Sequence, residues 1–111
     1  TLFDEAKECK ENKCKIDKED INFIFKSDNG LKNKILQKKL FGNIAPKLCD
    51  CIIKTDKLIL FEIKCKKVTF HILKKIKEQL DNVVKILNNQ NIFFDRIVFI
   101  YDSLDNNKLK Q

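Results

Sequence analysis

The chain has 111 residues, 35% of them charged, with a net charge of +7, two glycines and one proline. That length can bury one modest core without disulfides or a structural metal, and no apolar run is long enough to span a bilayer. Two glycines leave no room for a glycine-rich phosphate loop, which excludes triphosphate chemistry of that kind, whereas the positive balance favours a polyanion such as nucleic acid.

In chain order, residues 2 to 20 carry dense charge of alternating sign and read as a solvated helix or a partly ordered lead-in. "INFIF" at 21 to 25 has the content of a short strand, and "SDNG" at 27 to 30 is a turn. Leu31, Ile35, Leu36, Leu40 and Phe41 recur at helical spacing among lysines until Gly42 stops them. After Pro46, "KLCDCIIK" (47 to 54), the turn "TDK" and "LILFEIKC" (58 to 65) predict an antiparallel hairpin, with Asp56 as a turn residue. Phe70, Leu73, Ile76, Leu80, Val83, Val84 and Leu87 predict a long amphipathic helix headed by His71, which suits a cap or the surface. "RIVFIY" at 96 to 101 predicts a last buried strand, and Phe61, Phe70, Phe93, Phe94 and Phe99 read as core.

Cys9, Cys14, Cys49, Cys51 and Cys65 match no zinc-ribbon or zinc-finger spacing. Their odd number, without a secretory leader, predicts core-filling thiols, with a metal or iron–sulfur cluster the lesser alternative, and a reducing intracellular setting, cytoplasmic or nuclear. On a strand, Cys49 and Cys51 would share a face. Thr1 and the absence of methionine predict either a trimmed initiator or a piece of a longer protein, the second being favoured.

The unusual stretch is "LILFEIKCKK", where Glu62 and Lys64 interrupt a buried-type strand. Burying such groups costs several kcal/mol unless they are paired or bound to metal. Residues two apart share one strand face, so Glu62 and Lys64 form one site, and the hairpin brings Asp50 within reach of Glu62. Two converging carboxylates repel one another, which recruits a hard cation such as Mg²⁺ or Mn²⁺. A lysine beside such a cation suits phosphodiester hydrolysis. The E-x-K string itself is uninformative, because it recurs at Glu5, Glu8 and Glu11; its strand context and the acidic residue before it give it meaning.

Asp50, the Glu62-Ile63-Lys64 tripeptide, the long helix and the final strand together resemble the core of the PD-(D/E)xK nuclease superfamily over roughly residues 46 to 101. That resemblance implies an α/β fold with a restriction-endonuclease-like αβββαβ core, its mixed central sheet flanked by helices. It further implies metal-dependent cleavage of DNA, less often RNA. Asp50 and Glu62 would hold the metal with the Ile63 carbonyl, and Lys64 would be the catalytic lysine. The family's proline before the aspartate is absent here. A glutamate from the first helix has four candidates, Glu5, Glu8, Glu11 and Glu19, and Gln79 resembles a polar residue that some subfamilies place near the site.

The expectation is therefore a single domain, 1–111, with a helical or irregular part over 1–45 and a catalytic core over 46–101. It is a Mg²⁺- or Mn²⁺-dependent endonuclease with catalytic Asp50, Glu62 and Lys64, metal ligands Asp50, Glu62 and Ile63, and nucleic-acid contacts at Lys66, Lys67 and Gln79. A homodimer or a larger parent protein would complete its footprint, with no membrane partner. The alternatives are an inactive nucleic-acid- or protein-binding module of the same fold and an RNA endonuclease.

Overall fold

The computed structural model describes residues 2–11, 14–17 and 22–104. Its elements are β1 (Asp4–Ala6), β2 (Glu8–Glu11), β3 (Cys14–Asp17), β4 (Phe23–Lys26), α1 (Lys34–Phe41), β5 (Cys51–Lys54), β6 (Leu58–Val68), α2 (Phe70–Asn89) and β7 (Arg96–Leu104). The chain is a small α/β protein whose mixed five-stranded sheet runs β1-β4-β5-β6-β7. β4, β5 and β6 form an antiparallel meander; α2 then crosses over so that β7 lies parallel to β6.

Alternation along the strands feeds two cores. On one sheet face, Ile52 and Leu60 meet Ile76, Leu80, Val83, Ile86 and Leu87 of α2, and Leu36, Leu40 and Phe41 of α1 pack against the same cluster. On the other face, Ile24, Cys51, Ile53 and Ile63 meet Cys9 of β2. Both helices thus share one side, and the β2–β3 hairpin supplies residues to the other. α1 starts where the Asn33 side chain accepts a hydrogen bond from Leu36 N at 3.0 Å, and it stops at Gly42, whose φ of +69° favours glycine. α2 is capped by Thr69, which accepts from Ile72 N at 3.3 Å; His71 lies exposed beyond it.

Several expectations need correction. The charged lead-in forms β1 and β2, with β3 following, instead of a helix; residues 12, 13 and 18 to 20 lie outside the described residues. Pairing is the reason: β1 hydrogen-bonds along β4, and β2 along β3, so backbone partners override weak local preference. The helix expected from residue 31 begins at Lys34, and its Ile35 is 85% exposed. Leu48 and Cys49 are buried but precede the strand, which starts at Cys51. The two thiols of the CxC pair consequently enter opposite cores, Cys49 on the helix side and Cys51 on the hairpin side. Phe70 is exposed and Phe93 is 91% exposed, so neither belongs to the core.

Cys9, Cys49 and Cys51 fill the core as expected, but two of them are not free thiols. Hairpin β2–β3 brings Cys9 to 6.1 Å from Cys51 between Cα atoms, and the two form a buried disulfide. Cysteine usage therefore no longer argues for a reducing compartment. Cys49 remains a buried free thiol; the side chains of Cys14 and Cys65 lie outside the described residues. Among the described residues, no helix is long and apolar enough to cross a membrane.

Because the bond closes a sequence separation of 42 residues, loop-entropy reasoning assigns it about 4 kcal/mol. Denaturant unfolding with and without dithiothreitol should show a lower midpoint for the reduced protein. Cys9→Ser should begin at that lower midpoint and respond little to reductant.

Candidate functional site

The β5–β6 ladder pairs Lys54 with Leu58 and ends with Cys51 opposite Phe61. One step further the backbone bends at Asp50, and its carboxylate takes over from the ladder: Oδ2 accepts the Ile63 N–H at 2.7 Å. A short, charge-assisted bond of this kind fixes the side chain against β6. Asp50 is half-buried there, in the middle of the Glu62-Ile63-Lys64 tripeptide.

Phe61 and Ile63 point into the hairpin-side core and Leu60 into the helix-side core. By the same alternation Glu62 and Lys64 face the helices. Glu62 is fully buried, and Lys64 Nζ stands 4.0 Å from its Oε1 with 19% of the lysine side chain exposed. Asp50, in the bend just before β5, thus meets the Glu62-Ile63-Lys64 stretch of β6 at the Ile63 amide. Hard carboxylate oxygens beside a half-open position have the donor chemistry of a Mg²⁺ or Mn²⁺ site. Among the described residues, however, no group of three or more His, Cys, Asp or Glu side chains is arranged to hold a metal ion. Any metal would have to rely on the two carboxylates and backbone or solvent oxygen.

Buried polar neighbours support this corner. Ser27, fully buried, donates its hydroxyl to Cys49 O at 2.6 Å and lies 3.4 Å from Cys49 Sγ. Burial pushes the Cys49 thiol up to about 12; the Ser27 hydrogen bond opposes the shift, while the Glu62, Asp50 and Asp28 carboxylates add to it. Sequence reading missed Ser27, which looked like an ordinary turn residue.

Other expected site residues are scattered. Gln79 lines a cleft of about 420 Å³ with Phe41, Pro46, Lys47, Lys75 and Asn82. Its Oε1 is buried with no hydrogen-bond partner among the described residues. That lining does not include Asp50, Glu62 or Lys64. Glu5 and Glu8 are exposed on β1 and β2, while Glu19 and the Glu11 side chain lie outside the described residues. The Lys66 side chain also lies outside them. Lys67 is exposed, and an irregularity between Lys64 and Lys67 re-registers β6 on β7, pairing Lys64 with Tyr101 and Lys67 with Ser103. In the sequence Tyr101 is only the end of a buried-type strand; its pairing with Lys64 depends on a parallel register that no local pattern encodes.

Comparison with protein-family models, curated proteins and solved structures finds no match to this chain.

The raised Cys49 pKa carries a pH dependence. An ordinary thiol titrates near 9.0, so the neutral thiol's contribution to stability is fully present below about pH 9 and is lost as pH rises towards 12. In EDTA, unfolding midpoints should fall across that alkaline window, and Cys49→Ala should flatten the fall. The native thiol should also react with iodoacetamide far more slowly than after denaturation.

Proposed function

We propose that the chain is a metal-dependent nuclease that hydrolyses phosphodiester bonds in DNA. The observation that carries this reading is the Asp50 carboxylate clamped on the amide of Ile63, the residue between Glu62 and Lys64, whose own side chains lie 4.0 Å apart. Connectivity adds support: β4, β5, β6, α2 and β7 run in the βββαβ order of a restriction-endonuclease-like core, antiparallel first and parallel last. The chain departs from that pattern in two respects. α1 falls between β4 and β5 instead of ahead of the strands, and both helices pack on one sheet face.

Asp50 and Glu62, with the Ile63 backbone carbonyl, would hold Mg²⁺ or Mn²⁺. When bound, the ion would acidify a water and offset charge on the scissile phosphate. Lys64 acts from beside Glu62: its ammonium orients the attacking water or stabilises the negative charge that develops on the phosphoryl oxygens. The basic surface supplies non-specific attraction for the backbone, and a dimer or parent protein extends the footprint.

A second reading, an inactive binding module of the same fold, is favoured by the complete burial of Glu62. Fold alone does not guarantee turnover. Titration with Mn²⁺ and a plasmid-nicking assay separate the two. Asp50→Asn retains an acceptor for Ile63 N and should stay folded while losing Mn²⁺ affinity and about a hundredfold or more of the nicking rate. Lys64→Ala should lose rate with Mn²⁺ binding largely kept. A wild-type protein that binds no Mn²⁺ and nicks no plasmid would leave only the binding module, and digestion confined to single-stranded RNA would select the RNA endonuclease.

A further inference from the structure

Resting on the reading above, we infer that the site takes DNA with unpaired bases, and that Tyr101 is the platform on which one of those bases stacks. The β6–β7 ladder is parallel, so paired residues share a sheet face: Glu62 lies beside Phe99, and Lys64 beside Tyr101. The face then opens outward. Glu62 is fully buried, Lys64 is 19% exposed, and Tyr101 is 46% exposed on β7, the last strand of the described sheet. A polymer reaching the carboxylates from this side meets the tyrosine and the lysine first.

The aromatic ring is held for that purpose. Phe99 packs against the helix-side core, and its ring lies 5.2 Å from that of Tyr101 at a 39° tilt. The platform therefore rests on a partner anchored in the protein interior and leaves its other side towards solvent. Stacking on aromatic side chains is sequence-tolerant and requires a base that is not already stacked in a duplex.

Charge is placed to match. Strict alternation would put Lys66 on the face of Lys64, but the extra residue between Lys64 and Lys67 shifts the ladder so that Lys67 pairs with Ser103. Ser103 lies two residues after Tyr101 on the same strand, so exposed Lys67 comes to the face of Lys64 and Tyr101. The exposed ammonium of Lys67, one register step beyond the Lys64–Tyr101 pair, suits the backbone phosphate next to a stacked base.

Tyr101 is the only tyrosine and the chain has no tryptophan, so intrinsic fluorescence reports on this one residue. The experiment adds single-stranded oligothymidylate, or a duplex of the same length, to the full chain in EDTA, following tyrosine emission and the anisotropy of labelled DNA. Single strands should quench the emission and bind at least about tenfold tighter than duplex. Tyr101→Ala should lose about five- to a hundredfold in single-strand affinity, the range of one stacked base, while Tyr101→Phe stays within about twofold of wild type. Lys67→Ala should weaken both ligands and lower the salt slope by about one. Unchanged emission on saturation, equal affinity for duplex, or a Tyr101→Phe variant as weak as Tyr101→Ala would each overturn the inference. Binding in EDTA needs no turnover, so a failed nicking assay beside tyrosine-dependent single-strand binding sinks the nuclease and leaves this surface standing.

Discussion

Everything at this corner of the molecule depends on a side chain doing a backbone's work. The β5–β6 ladder would ordinarily end by leaving the Ile63 N–H to water or to an irregular loop, and a buried amide without a partner costs about 1–3 kcal/mol. Asp50 meets that donor with a carboxylate oxygen at 2.7 Å. The bond satisfies the amide and, in the same act, fixes where the acid points. β5 is free to bend at this residue, and the approach through Leu48 and Cys49 packs into the helix-side core while Cys51 turns to the other face. A backbone acceptor would have continued the ladder and carried the carboxylate elsewhere.

The two coverings of the sheet follow from that bend. α2 and α1 bury the face that carries Glu62, which keeps its carboxylate in a low-dielectric setting where the attraction of Lys64 is less screened than in water. The opposite face is met by the β2–β3 hairpin, and Cys9 bonds it to Cys51. The covalent link is thus one residue from Asp50 in sequence. Rigidity at the hairpin and orientation at the acid are properties of the same strand end.

How much of this was legible in the sequence depends on how local each determinant is. α2 was readable because seven apolar positions at helical spacing outweigh any single exception, and the E-I-K tripeptide stood out because charge is costly inside an apolar strand. The β5–β6 hairpin followed from two apolar runs across a short turn. What failed was set by distant partners. β1 and β2 are charged enough to pass for a solvated helix, and their extended form depends on pairing with β4 and β3. The Cys9–Cys51 bond needs a hairpin to cross a sheet, which no spacing encodes. Phe93 is apolar yet exposed because it follows the end of α2, past Asn91 with φ of +55°, where the chain turns before β7 has begun.

The candidate site divides along the same line. Asp50, Glu62 and Lys64 were visible because each is a local anomaly, whereas Tyr101 and Lys67 acquire their position from a parallel ladder with one extra residue in it. A bulge reverses the facing of every residue after it, so the difference between a lysine aimed at the site and one aimed away is a single insertion in β6. Such irregularities disrupt ladder bonds and are tolerated where the strand is about to end. Here it lies between Lys64 and Lys67, just before Val68 closes β6 and Thr69 caps α2. The crossover helix can begin directly after the bulge because Thr69 supplies the cap, and β7 is left to run alongside as the open strand. The chain therefore places buried acid, mostly buried lysine and exposed aromatic in succession across the middle of two parallel strands.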